Sequence, residues 1–412
     1  MPIPFGSARF LRALRHRDYA IYSAGSTVTM IGLWMQRIAV GWVTWELTHS
    51  PSWLGAVAFA ELFPVVIISP IAGTAADRFN RLWLGRIMQI AMMVQAAMLA
   101  YLSLAGELTI WWLLWLSIFN GIAVSFWQPA RLTLIPNLVP REDLSSAIAL
   151  NSVIFNMARF IGPGLAGVVI ASYGAGWAFV ANAASYTTFI VALFMIRPSD
   201  DRETRARKSF ISDITEGYRY AATHPGIAPS LVLMAASCIA IRGVFELYPG
   251  FADHVFERGA EGLSILAAST GVGAMIAGIW VGGRGSDGLA KVSVWAVAVQ
   301  VVAVTVFAAS PWFWLAVASV AVLGGSVTVH GAATQTLVQG SVAGHMRGRV
   351  MALYGMMFRG GPAIGALSMG WAAETVGLSW PAIGGAAMAL AIFVWSRQRL
   401  PAMRKAFEPA GG

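Results

Sequence analysis

The chain has 412 residues, 57% of them hydrophobic and only 11% charged, with a mean hydropathy of +0.67. Soluble domains carry about 25% charged residues, so this composition excludes a water-soluble globular protein and requires a bilayer as solvent. The net charge of +9 and pI near 10.1 do not indicate a nucleic-acid partner, because the basic residues are spread over many short loops without an aromatic-interleaved basic patch.

At the N-terminus, Arg9, Arg12, Arg15 and Arg17 precede an apolar run from near Tyr19 to about Trp45. The run lacks a small-x-small cleavage site and is expected to be a retained first span. Apolar runs predict twelve spans in all, over 20–46, 52–75, 82–105, 108–130, 144–172, 175–196, 228–251, 262–283, 290–309, 312–338, 348–373 and 379–396. The single cysteine, Cys238, lies inside an apolar run and cannot form an intrachain disulfide.

Between the second and third spans stands Gly73-x-x-x-Asp77-Arg78-Phe79-Asn80-Arg81. So short a connection makes its two helices antiparallel neighbours and puts its charges at the membrane surface. Two readings are open there: an ordinary positive-inside turn, or a latch in which Gly73 allows close backbone approach and Asp77, Arg78 and Arg81 pair with helix ends. The spacing resembles the loop between helices two and three of the major facilitator superfamily, with Asn80 and Leu82 where that family has a glycine and a basic residue. Gly283-x-x-x-Asp287, with Lys291 four positions on, repeats it half a chain later and implies two homologous halves.

If the N-terminus is cytoplasmic, the loop Lys and Arg gather on the inner side. Only Arg258 falls outside, and Arg37, Arg159, Arg242 and Arg359 lie within spans. Positive-inside bias therefore places both termini in the cytoplasm. The polar interval after Arg197 divides an N-terminal half, 1–196, from a C-terminal half, 228–412, through a cytoplasmic linker, 197–227. In the linker Ile211, Ile214, Tyr218 and Ala222 recur at helical spacing, which predicts an amphipathic helix on the inner face; a passive tether is the alternative. The halves echo each other further: Gly174 and Trp177 are repeated 203 residues on as Gly377 and Trp380.

The stretch Phe126 to Asn151, with prolines at 129, 136 and 140, resembles the join of helices four and five in the transmembrane secretion effector branch, which contains the enterobactin exporter. Those prolines are expected to stop the fourth helix, and Asp143 or Ser145 to cap the fifth. In the fifth span Gly162, Pro163 and Gly167 thin and kink the helix so that another can pivot there. The run is similar to the Gly-Pro-x-x-Gly-Gly element of proton-exchanging exporters, and Gly361, Pro362 and Gly365 repeat it in the eleventh span. The alternative reading is packing without bearing on transport direction.

Each intramembrane arginine costs about 2.5–3.5 kcal/mol on insertion scales, so four imply a wet cavity, paired acids or both. The acids at depth are few: Glu61 and Glu246, with Glu46 and Glu374 nearer the outer ends. Arg242 and Glu246, four apart, can neutralise each other on one helix face. The repeat pairs Arg37 with Arg242 and Arg159 with Arg359, which are expected to face each other across the pseudo-twofold axis. Such a cavity stays net positive and favours carboxylate, catecholate or phosphate groups. Gln36, Asn120, Asn156, His330 and Gln335 are the expected polar lining, with Trp34 and Trp127 at its border; a lone intramembrane histidine such as His330 is more often a packed, hydrogen-bonded residue than a proton carrier. Structural Arg–Glu and Arg–carbonyl ties are the alternative for the whole set.

The expected fold is an all-α membrane protein with twelve transmembrane helices in two pseudo-twofold six-helix bundles. The resemblance implies a secondary active transporter that exports an anionic amphipathic small molecule, siderophore- or drug-like, by alternating access. Glu61 or Glu246 would carry the coupling proton, and Asp77, Arg78, Arg81 and Asp287 would latch the inner side. There is no Walker loop, metal-spaced His/Cys cluster or nucleophile–base pair, so neither enzyme, cofactor nor metal is expected. The chain is expected to be a monomer in a bacterial-type cytoplasmic (inner) membrane, in contact with lipid. An anionic-lipid or lysophospholipid carrier, and a non-transporting sensor or scaffold, are the alternatives.

Overall fold

In hydrocarbon every backbone N–H and C=O must be satisfied within the protein, and among the described residues this chain meets that demand with helices alone. The computed structural model describes residues 11–78, 80–197, 210–285, 288–344 and 346–407, with the side chains at 69, 70, 73–78, 133 and 210–214 outside that description. In the first part of the chain the helices are α1 (Arg17–Thr48), α2 (Pro51–Arg78), α3 (Arg81–Leu104), α4 (Ile110–Leu134), α5 (Leu144–Tyr173) and α6 (Ala175–Met195). Then come α7 (Phe210–Thr223), α8 (Ile227–Ala240), α9 (Gly259–Gly282), α10 (Leu289–Ala309), α11 (Phe313–Ser341), α12 (Arg347–Val376) and α13 (Ser379–Phe407). Ten segments among the described residues are long and apolar enough to cross a bilayer. The helices α1 and α12, of 32 and 30 residues, are as long but more polar, and are not among the ten.

Local chemistry sets the ends. Asn80, at the position where the resembled loop has a glycine, is the N-cap of α3: its side chain accepts from the Leu82 and Trp83 amides at 3.0 and 3.1 Å. Thr109 caps α4 through the Trp112 amide at 3.4 Å. The turns after α5 and α12 share one backbone conformation, with Gly174 at φ 88°, ψ 163° and Gly377 at φ 82°, ψ 166°. Only glycine adopts that region readily, so the 203-residue echo has a backbone reason.

Several sequence expectations are corrected. Pro129 does not stop α4, which continues to Leu134, because a proline removes just one N–H from the ladder. Asp143 holds the N-cap position of α5 but makes no side-chain cap bond; its Oδ2 pairs instead with His16 Nε2 at 2.8 Å. The seventh span is not one continuous helix. After α8 it passes through a 3-10 stretch, Arg242–Leu247, one short α turn, and a π turn, Phe251–Val255. Pro249 withholds one ladder donor, and at Gly243 an added Cβ would meet the Gly365 carbonyl carbon at 2.5 Å, so the break lies where the chain presses against α12. The last predicted span, 379–396, is the start of a longer helix, α13, that runs on to Phe407.

The linker helix α7 docks on the rest of unit two through Gly217, where an added Cβ would meet Arg349 Cβ at 3.0 Å, and through Ala221. Glu216 pairs with Arg349 at 2.9 Å, and Ala221 joins a core with Ile227, Met346 and Val350. Tyr218 and Ala222 face outward, and Ile211 and Ile214 lie outside the described side chains.

By contacts the chain forms two compact units. Unit one is Met1–His49, Ala60–Arg205 and Arg258–Ala268; unit two is Ser50–Phe59, Ala206–Glu257 and Ser269–Gly412. In unit one α1, α3, α4 and α6 bury Tyr19, Tyr22, Tyr186 and Leu193 together, and Arg86 gives two hydrogen bonds to the Leu193 carbonyl, at 3.1 and 2.8 Å. That ties α3 to one of the last carbonyls of α6, which lacks an intrahelical donor. In unit two the α12 C-terminus meets the start of α2. Glu374 Oε2 accepts from Ser50 Oγ at 2.7 Å and from the Ser52 amide at 3.1 Å.

Candidate functional site

Unit one builds a cationic site where α1 crosses α5. At Gly162 an added Cβ would meet Trp34 Cβ at 2.5 Å, so the glycine is what lets the two helices touch. The crossing places Arg37 and Arg159 around one indole: their guanidinium carbons lie 5.6 and 5.7 Å from the Trp34 ring centroid. Phe155 packs edge-on to the same ring at 5.9 Å. Cation–π attraction steadies both guanidiniums on the one ring. Asn156, one turn before the crossing, gives its Nδ2 to the Ser152 carbonyl at 2.8 Å, a local helix bond.

Beside this pair a small cavity is lined by Gln36, Arg37, Glu61, Gln95, Ser117 and Asn120, together with Leu33 and Val40. Glu61 is brought there because Gly121 lets α4 press on its backbone carbonyl, and Asn120 Nδ2 reaches Glu61 Oε1 at 3.5 Å. An acid and a guanidinium thus share one polar cavity inside unit one. Gln36 is 3% exposed and is held by other amides: Asn182 Nδ2 donates to its Oε1 at 2.7 Å, and its Nε2 donates to Gln95 Oε1 at 3.1 Å.

Unit two holds the other two arginines. Pro362 has no N–H to give to the carbonyl four residues back, which belongs to Phe358. Arg242 Nη1 donates to that carbonyl at 2.9 Å, and its guanidinium carbon lies 4.4 Å from the Phe358 ring. Arg359 is the next residue on α12 and is exposed. Arg242 and Glu246 stand on the 3-10 stretch, Arg242–Leu247, and not on a regular α-helical face. His330 is 1% exposed, and its Nδ1 donates to the Ser293 carbonyl at 3.0 Å. It is a packed tie between α11 and α10, while Gln335 lies exposed on α11.

The structure therefore joins Gln36, Arg37, Glu61 and Asn120 around one cavity of unit one, puts Arg159 on the same indole as Arg37, and ties Arg242 to the Phe358 carbonyl in unit two. At the glycine–proline elements, Gly167 meets Ser264 of α9, where an added Cβ would stand 2.5 Å from Ser264 Cβ, while Pro163 and Pro362 lie within α5 and α12. Of the hinge residues, Arg81 opens α3; Gly73, Asp77 and Arg78, and Asp287 of the repeat, lie outside the described side chains. Sequence reasoning missed Gln95 and Asn182. Each is an amide inside an apolar run, a visible signal, but their meeting at Gln36 depends on the packing of three helices.

A family model described as transmembrane secretion effector matches residues 9–410. The staphyloferrin A transporter of Staphylococcus aureus is 29% identical over 176 residues, spanning 42% of this chain and 44% of the relative, less than half its length. Macrolide efflux protein A of Streptococcus pyogenes is 23% identical across 89% of this chain and 92% of its own. An enterobactin exporter of Escherichia coli O1:K1 is 24% identical across 79% and 76%. Among solved structures, a POT family transporter in complex with 5-aminolevulinic acid superposes with a TM-score of 0.73 at 10% identity, covering 94% of this chain and 96% of its own. A bacterial homologue of the human lysosomal transporter Spinster gives 0.69 at 14% identity, covering 96% and 99%. At those identities the likeness concerns the fold alone. With the family model covering nearly the whole chain, the protein belongs to the transmembrane secretion effector family of multi-pass major facilitator transporters.

Proposed function

We propose that the chain is a proton-coupled exporter of anionic, amphipathic small molecules, siderophore- or drug-like, working by alternating access. The observation that carries the reading is the pair of guanidiniums, Arg37 and Arg159, held on one indole, Trp34, beside the polar cavity of Gln36, Glu61 and Asn120. Two guanidinium forks so close together favour an anionic group. Arg242 and Arg359 are the cationic groups of unit two, and Gln36, Asn120, Asn156 and Gln335 are the polar groups assigned to substrate, while His330 holds α11 to α10. Glu61 is the first choice for the coupling proton because it shares a cavity with Arg37; Glu246 is the second.

The full architecture belongs to the same proposal. It has twelve spans in two six-helix halves, 1–196 and 228–412, joined by the linker 197–227, with both termini on the cytoplasmic side of an inner membrane and the chain acting as a monomer. Gly162, Pro163, Gly167 and Pro362 serve as pivots; Gly73, Asp77, Arg78, Arg81 and Asp287 latch the inner side. Relatives that include a staphyloferrin A transporter and an enterobactin exporter support an exported siderophore-like anion.

The test is accumulation of enterobactin or staphyloferrin A in everted, energised vesicles. Accumulation is expected to collapse with a protonophore and to fall about tenfold or more in Glu61→Gln and in Arg37→Gln, the cost of one charged hydrogen bond. Flux indifferent to the protonophore would remove proton coupling. Movement of a labelled lysophospholipid without either siderophore would make the chain a lipid carrier, and no flux of any of the three would make it a scaffold.

A further inference from the structure

A second cavity lies inward of the Glu61 cavity inside unit one, bounded by α1, α3, α4 and α6, with Leu33 lining both. Its volume is about 50 Å3, against about 10 Å3 for the first. A buried water needs about 10–15 Å3 on this measure, so the inner cavity has room for on the order of three waters and the outer for one. The walls are polar where it matters: Ser26, Gln89, Gln128 and Arg131 stand among apolar neighbours.

Two buried atoms point to what fills these spaces. Gln89 is 1% exposed, and its Oε1 has no hydrogen-bond partner among the described residues; Asn120, 3% exposed, has the same deficit at Oδ1 in the outer cavity. Each would cost about 1–3 kcal/mol if left dry. A polar, roomy cavity with orphaned acceptors is one that holds water.

Between the cavities stands the amide lattice. Asn182 donates to Gln36, Gln36 donates to Gln95, and Ser185 Oγ donates to the Asn182 carbonyl at 2.7 Å, with Thr29 Oγ1 giving to the Ser185 carbonyl at 2.8 Å. Carboxylates and water pass protons readily, whereas an amide has no titratable proton to hand on. Interlocked amides therefore interrupt a water chain.

We propose that the inner cavity of unit one is a hydrated store from which protons reach Glu61, with the Gln36–Gln95–Asn182 lattice as the plug that parts to let them through. The charged group facing Glu61 in its cavity is Arg37; those of the inner cavity are Arg131 and the phenols of Tyr186 and nearby Tyr22. The proposal rests on Glu61 being the coupling acid and adds the route by which it is served. It separates proton entry, through the core of one unit, from the arginines that meet the substrate.

Two measurements test it without any substrate. Radiolytic hydroxyl-radical footprinting of the unmodified protein in lipid nanodiscs compares Met92, 2% exposed on the inner cavity wall, with Met234, 1% exposed in the packed core around Cys238. Internal water should make Met92 oxidise about tenfold faster than Met234; equal protection would overturn the proposal. Flash release of caged protons with infrared detection follows the carboxyl band that disappears in Glu61→Gln. Filling the cavity with Gln89→Leu should slow its rise about tenfold. An unchanged rate sinks the route while leaving Glu61 as the coupling acid. Absence of that band from the unmodified protein sinks the route and the coupling assignment together.

Discussion

A proline inside a helix strips a donor from the carbonyl four residues back, and in α12 that carbonyl is Phe358, which Arg242 supplies from α8's end at 2.9 Å. Arg242 and Pro362 are thus one device divided between two helices, and their coupling is measurable. Arg242→Ala leaves the carbonyl without its donor, at about 1–3 kcal/mol. In a Pro362→Ala background residue 362 regains its N–H, so the same change should cost about 1 kcal/mol less, read by thermal unfolding in a double-mutant cycle. Equal costs in both backgrounds would show that the two are independent. At the α1–α5 crossing, Gly162→Ala would drive a methyl to 2.5 Å from Trp34 Cβ. It should destabilise the purified protein by about 1–3 kcal/mol through overpacking and loosen both guanidiniums from the indole. The four arginines stood out in the sequence because charge is rare in apolar runs. Their partners did not, since a carbonyl freed by Pro362 and a ring between Arg37 and Arg159 exist only once helices cross.

Elements were legible where the signal was apolar length and illegible where it was a terminus or a break. The runs behind α3 to α6 and α9 to α11 are visible in composition, whereas the 3-10 and π turns after α8 follow from Pro249 and from the close approach of Gly243 to Gly365. The amphipathic spacing of α7 announced a helix, yet the side that docks is set by a glycine and an alanine, small enough to fit beneath Arg349. The α7–α8 junction carries a pH prediction. His224 Nδ1 accepts from the Gly226 and Ile227 amides, both at 3.2 Å, and burial holds its pKa below the ordinary imidazole value of 6.5. The unfolded segment therefore takes up the proton first. The stability that the neutral ring contributes is whole above 6.5 and is lost as pH falls through the lowered folded value. Once the intrinsic exchange rate, which itself falls with pH, is divided out, hydrogen exchange at Gly226 and Ile227 should report more opening on acidification, and His224→Asn, which keeps an acceptor that does not titrate, should flatten that dependence. An unmodified protein whose exchange opening ignored pH across this range would refute the cap.

At the scale of the whole molecule the echoes spaced about 200 residues apart have counterparts in backbone geometry. Gly174 and Gly377 share one turn conformation, and Gly162 and Gly361 each receive a neighbouring helix, α1 and α8. Composition and the hinge spacing were enough to reach the family, because bilayer thickness and short loops leave few other solutions. What is carried was less legible, since it depends on which side chains share a cavity. The claim that matters most is that the arginines select for negative charge. The most direct measurement is flux through proteoliposomes of a matched pair, the polycarboxylate staphyloferrin A and its uncharged methyl ester. The account predicts that the carboxylate moves about tenfold faster or more, and that this preference vanishes in the Arg37→Gln/Arg159→Gln double variant while the ester is unaffected. Equal transport of acid and ester by the unmodified protein, or a charge preference that survives loss of both guanidiniums, would contradict it.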